Sequence, residues 1–142
     1  MKKISILLLA LVCSMSMMAQ EFTERNLNYM VLSDNTVAVV GCSISGAVKV
    51  PETVAHDGKT YTVTALHEAF VGCDKLSSVK LPNTITTIGE EAFWRCSSLA
   101  SITLPAGVTT IGEYAFSGCT ALKFITLPQG LTAINEGAFY GC

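Results

Sequence analysis

The sequence is poor in the residues that chemistry or a charged partner would need. Of its 142 residues 14% are charged, nine Lys and Arg against eleven Asp and Glu, for a formal net charge of −2. Nucleic-acid binding needs a basic excess to neutralise phosphates. No basic cluster longer than Lys2-Lys3 occurs, so nucleic acid is not an expected partner. Histidine appears twice, at His56 and His67, which leaves few general bases. G-x-S-x-G, H-E-x-x-H, a phosphate-binding Gly-Lys loop and Gly-x-Gly-x-x-Gly are all missing. No catalytic residue, cofactor site or metal site is therefore expected, and the protein reads as a non-enzyme. Long apolar runs are scarce as well. The longest, Ile4 to Val12, covers about nine residues where a spanning helix needs roughly 20, which argues against a transmembrane anchor. The 50% apolar content in turn excludes a disordered tail.

The N-terminal segment is read as an address. Met1 to Ala19 opens with Lys2-Lys3, continues through the apolar run and closes on small or flexible residues, the pattern of a secretory signal peptide cleaved after Ala19. A lipoprotein signal through Cys13 is the weaker alternative, because Val12 stands where such signals place a small residue. Either route leads out of the cytoplasm, to secretion or the cell surface, where thiols can oxidise.

What the sequence has in abundance is order. Phe70, Phe93, Phe116 and Phe139 are each 23 residues apart, and Ala69, Ala92, Ala115 and Ala138 precede them. Leu76, Leu99 and Leu122, Pro82, Pro105 and Pro128, and Cys73, Cys96, Cys119 and Cys142 keep the same phase. Five columns held at one period define a repeat that reads Leu-x-x-Ile/Val-x-Leu-Pro, then Thr-x-Ile-Gly/Asn-Glu-x-Ala-Phe, then x-x-Cys. An earlier unit, Val40-Gly41-Cys42 to Val48-Lys49-Val50-Pro51, matches at an offset of 31 and so carries an eight-residue insertion. The insertion falls around His56-Asp57-Gly58-Lys59, a hairpin-turn signal ahead of the alternating Tyr61 and Val63. Tyr29 to Leu32 and Val37 to Val40, flanking Ser33-Asp34-Asn35-Thr36, predict a second hairpin.

Each Leu-x-x-Val-x-Leu segment is expected to be one short strand ended by proline, which lacks an N–H for the ladder. Gly112-Glu113 and its counterparts are expected to open a short helical turn whose Ala and Phe plug the coil. No coil can bury its apolar face alone, so the strands should stack in parallel about 4.8 Å apart. These motifs resemble the BspA-like surface-antigen class of bacterial leucine-rich repeats. The resemblance implies a leucine-rich repeat solenoid with a short strand and a helical turn per coil. The organisation that follows is a signal peptide at 1–19, an N-terminal capping β-hairpin at 20–41 and an array of about four units at 42–142 without a C-terminal cap. Ser45 in place of the opening Leu and Asn135 in place of Gly depart from the pattern.

Two columns and two histidines invite a functional reading. Cys42, Cys73, Cys96, Cys119 and Cys142 share one phase and are read as a ladder of free thiols acting as small hydrophobes, since parallel side-chain vectors oppose the disulfide dihedral. Zinc is disfavoured with one Cys per coil. Glu90, Glu113 and Glu136 are read as first-turn helix residues favoured by the backbone dipole, not as a cation ladder. His56, beside the Asp-Gly turn, and His67, in the place of the repeat's Gly, are expected at the surface.

The remaining candidate is the outward face of the strands, with Lys49, Ser78, Lys80, Ser101, Thr103, Lys123, Phe124 and Thr126 as partner-binding residues. Phe124 is the one large apolar side chain expected to point out. The family resemblance implies adhesion or partner recognition, so the expected function is binding a protein or a surface glycan across this face. The alternative is an incomplete or purely structural array. A further expectation is self-association through the last coil, locked by a Cys142–Cys142 disulfide.

Overall fold

The structure, a computed structural model, describes residues 20–142. The expected signal peptide and the alternative lipid site at Cys13 lie outside the described residues. Three strands open the chain as an antiparallel meander: β1 (Glu21–Glu24), β2 (Leu27–Val31) and β3 (Thr36–Cys42). The β1–β2 turn is Arg25-Asn26, left-handed at φ 51° and 64°, which gives a two-residue hairpin the twist its strands require. The cap is thus one strand larger than the single hairpin expected for 20–41. That turn carries no glycine and so no sequence signal.

Seven more strands follow: β4 (Gly46–Lys49), β5 (Thr53–His56), β6 (Lys59–Leu66), β7 (Leu76–Lys80), β8 (Thr87–Ile88), β9 (Thr110–Ile111) and β10 (Ala133–Ile134). β5 and β6 form the insertion, turning on Asp57-Gly58 at φ 50° and 75°. The long β6 pairs in parallel with β3 on one side and, near its end, with β8 on the other. The inserted hairpin therefore joins cap to coils in one sheet ordered β1-β2-β3-β6-β8-β9-β10, with β5 beside β6.

The continuous parallel ladder runs along the Thr-x-Ile segments, not along the Leu-x-x-Ile/Val segments where it was expected. On the latter side β4 pairs with β7, and farther along a single bridge links Thr103 to Thr126. Two local causes separate the sides. Proline closes every Leu-x-x-Ile/Val segment and removes a donor. Thr86, Thr109 and Thr132 add side-chain hydrogen bonds to the carbonyls of Thr64, Thr86 and Thr109 on the preceding coil, at 3.3, 3.3 and 3.0 Å.

The expected helical turns are absent among the described residues; the Gly-Glu-x-Ala-Phe-x-x-Cys segments are chains of tight turns. Left-handed residues interrupt each one, Glu91 at φ 49° and Arg95 at φ 58° in the second full coil, and a right-handed helix cannot continue through them. Successive N–H groups take different partners. Those of Trp94 and Cys96 close turns on the carbonyls of Glu91 and Phe93, while those of Glu91, Phe93 and Arg95 cross to the carbonyls of Glu113, Ala115 and Ser117 on the next coil. The coil before repeats the crossing from Glu68, Phe70 and Gly72, and the coil after from Tyr114, Phe116 and Gly118. Glu90, Glu113 and Glu136 are exposed on this face, and with no helix beneath them the helix-dipole reading does not hold.

The core is a column. Phe70, Phe93 and Phe116 are fully buried and stack with Phe139 at ring-centroid distances of 5.1, 5.1 and 5.4 Å. Around them lie Leu76, Leu99 and Leu122 from one side and Ile88 and Ile111 from the other. In the first unit Ile44 packs against this core while Ser45 is exposed, and a register shift follows between Gly46 and Ala47.

Replacing Phe93 or Phe116 with Ala is expected to cost about 3–5 kcal/mol in chemical denaturation, and Phe139 less, because it is only half-buried. Equal losses at all three positions would contradict the column. Gly112 lies where backbones nearly touch: a Cβ there would sit 2.5 Å from the carbonyl carbon of Gly89. Gly112→Ala is expected to cost about 1–3 kcal/mol by the same measurement, and an unchanged midpoint would refute the close contact.

Candidate binding face and thiol column

All eight residues proposed for the binding face are exposed. Alternation puts them there, because Val48, Val79, Ile102 and Ile125 between them turn inward. Lys49 and Lys80 are register partners on β4 and β7, as are Thr103 and Thr126 at the bridge. Phe124 is 74% exposed. The other outward positions include the small polar Ser78, Ser101, Thr103 and Thr126.

The thiols do not behave uniformly. Cys96 and Cys119 are buried and donate to the carbonyls of Phe70 and Phe93 at 3.1 Å; Cys142, exposed, donates to Phe116 at 3.3 Å. Cys42 and Cys73, each half-buried, instead meet Sγ to Sγ at 3.3 Å. Burial first, then the hydrogen bond to Cys42, pushes the Cys73 thiol up to about 12. Burial also raises Cys96, and takes Cys119 to about 12. These groups stay protonated and unreactive at neutral pH. His56 is not a free surface residue: its ring stacks on Phe22 at 4.0 Å and 3°. His67 does occupy the glycine position, donating its N–H to Val39 as Gly89 does to Leu66. Among the described residues no three His, Cys, Asp or Glu come together to hold a metal ion.

One feature of the site was not legible in the sequence. A cleft of about 680 Å3 opens where the cap meets the first two coils, with Arg25, Lys49 and Lys80 on its rim. Tyr29 lines its floor, its phenol pushed up to about 12 by burial and then by Glu24. The Asn26 carbonyl accepts the Ser43 N–H at 3.0 Å, tying the turn that carries Arg25 to the start of the first coil. The signal lies in three distant segments, and folding alone assembles it.

A stack of short coils with inward leucines, parallel pairing and a phenylalanine column is the architecture of a leucine-rich repeat solenoid. The chain belongs to the BspA-type leucine-rich repeat family: residues 60–142 match the BspA type leucine rich repeat region (6 copies). Among solved structures it is similar to a leucine-rich repeat protein from Bacteroides ovatus, at 37% identity and a TM-score of 0.79 over 85% of this chain and 33% of that one. It is also similar to a leucine-rich cell surface protein from Faecalibacterium prausnitzii, at 25% identity and a TM-score of 0.71 over 87% of this chain and 40% of that one. A third, a leucine-rich repeat protein from Bacteroides capillosus, shares 26% identity with a TM-score of 0.74 over 81% of this chain and 87% of that one. The chain thus spans well under half the length of the first two. No curated protein sequence matches it.

Thiol alkylation of the native protein at pH 8 is expected to reach Cys142 first and to leave Cys96 and Cys119 untouched. Between pH 8 and 10 the rate at Cys73 should climb about tenfold per pH unit, because the pH lies below the raised pKa and the thiolate is the nucleophile. Peptide mapping by mass spectrometry reads the order, and rapid labelling at all five would refute it.

Proposed function

We propose that this chain is an exported, non-catalytic recognition module that binds a protein or a surface glycan across the outward columns of its Leu-x-x-Ile/Val segments, in the manner of an adhesin. The observation that carries the reading is Phe124, a large aromatic left 74% exposed among small polar side chains. Exposed aromatics in such settings are typical interface hot spots. Export is supported by the signal-peptide pattern at Met1 to Ala19. No helix of the described residues is long and apolar enough to cross a membrane. The Faecalibacterium relative is itself described as a cell surface protein.

The test is the protein immobilised and probed with arrays of surface glycans and purified extracellular proteins. A ligand retained by the native protein is expected to lose at least about tenfold in affinity on Phe124→Ala with Lys80→Ala. Binding that survives both substitutions would place the contact elsewhere. No retained ligand would overturn the recognition reading.

A further inference from the structure

We propose that the cleft between the cap and the first two coils binds a linear acidic glycan, a hexuronate oligosaccharide lying along the array axis. The proposal rests on the recognition reading above and gives it a ligand class and a second location.

The cleft begins with a charge arrangement that its own surroundings leave unbalanced. Lys49 and Lys80 are direct register partners, and like charges opposite one another destabilise a strand pair. Arg25 joins them on the rim from the cap. Among the described residues no carboxylate lies within 4.0 Å of any of the three, the closest ion pairs being those of His56 with Asp57 and His67 with Glu68. Glu52 is the single acid lining the cleft. Three cations against one acid leave the cleft with a positive excess that an anion carrying more than one charge would balance.

The shape selects among polyanions. Beyond Lys80 the cleft continues into a hollow of about 280 Å3 that shares Lys80, Leu81 and Asn83 and reaches Thr103 and Pro105. The groove therefore crosses the coils. Its successive corners are Pro51, Pro82 and Pro105. An acidic peptide added as a strand would need a row of backbone N–H donors, and proline has none. Proline rings and Leu81 offer instead flat C–H surfaces of the kind a sugar ring covers, while Thr53, Asn83 and Thr103 supply hydroxyl and amide groups for its hydroxyls. Lys49 and Lys80 come from successive coils, so a chain lying along the array axis meets one and then the other. The cleft volume is within the roughly 300–1,000 Å3 of small-molecule sites.

The experiment is titration calorimetry with α-1,4-linked tetragalacturonate, beside its methyl ester and a tetraglutamate peptide. The native protein is expected to bind the acid, to bind it more weakly as salt rises, and not to bind the ester. Lys49→Glu with Lys80→Glu, both exposed and checked by an unchanged thermal midpoint, should weaken binding about tenfold or more, and Glu113→Gln on the turn face should leave it unchanged. No binding of the tetragalacturonate, equal binding of the ester, or equal binding of tetraglutamate each overturns the proposal. Retention in the lysine variant with loss in Phe124→Ala moves the glycan to the outer columns, which overturns the cleft while the recognition reading stands.

Discussion

The stack of phenylalanine rings is the contact on which the remaining structure depends. A single coil encloses one aromatic plug, two or three aliphatic side chains and little else, far too little apolar surface to hold it closed. Placed 5.1 Å from Phe70 and from Phe116, Phe93 gains two aromatic neighbours and completes a dry interior. That distance must recur at every coil, and it fixes the amount of backbone between plugs. The insertion in the first unit obeys the same constraint by leaving the column altogether: its additional residues form a hairpin at the edge, and the register of the core beyond them is undisturbed.

The repeat, the hairpins turning at Ser33-Asp34-Asn35-Thr36 and Asp57-Gly58, and the inward and outward faces were legible in the sequence, because periodicity reports which side chains share an environment. It does not report which peptide groups meet. The side of the coil that carries the continuous ladder is decided by where prolines remove donors and threonines add them, and the turn segment by left-handed residues such as Glu91 and Arg95 that carry no glycine signature. Arg25-Asn26 escaped for the same reason. Ile44 escaped because a one-residue slip let it take the core place that the repeat assigns to Ser45. The outer-face candidates were visible since alternation exposes them, whereas the cationic cleft joins three segments that only the fold brings together.

The division between interior and exterior also divides constraint from freedom. Substituting Leu99, Ile111 or Phe116 disturbs neighbours on two coils, while Ser78, Ser101 or Lys123 touch little beyond their own strand. A family built on this unit can retain one scaffold and vary what it presents. In this chain the variable positions yield one exposed aromatic near one end and a basic pair at the other.

The crossing hydrogen bonds of the turn face give the array an electrical direction. The Ala92–Phe93 peptide accepts from Phe70 through its oxygen and donates to Ala115 through its nitrogen, and the Ala115–Phe116 peptide does the same from Phe93 to Ala138. Two further lines run beside it, through Glu90–Glu91 and Trp94–Arg95. All three are chains of peptide groups pointing the same way, each polarising the next, as in the spines of an α-helix, although no helix is present among the described residues. Their N–H ends face the C-terminal coils and their carbonyl ends face the cap, so this side of the solenoid is positive toward one pole and negative toward the other. Every added coil lengthens three aligned dipoles at once.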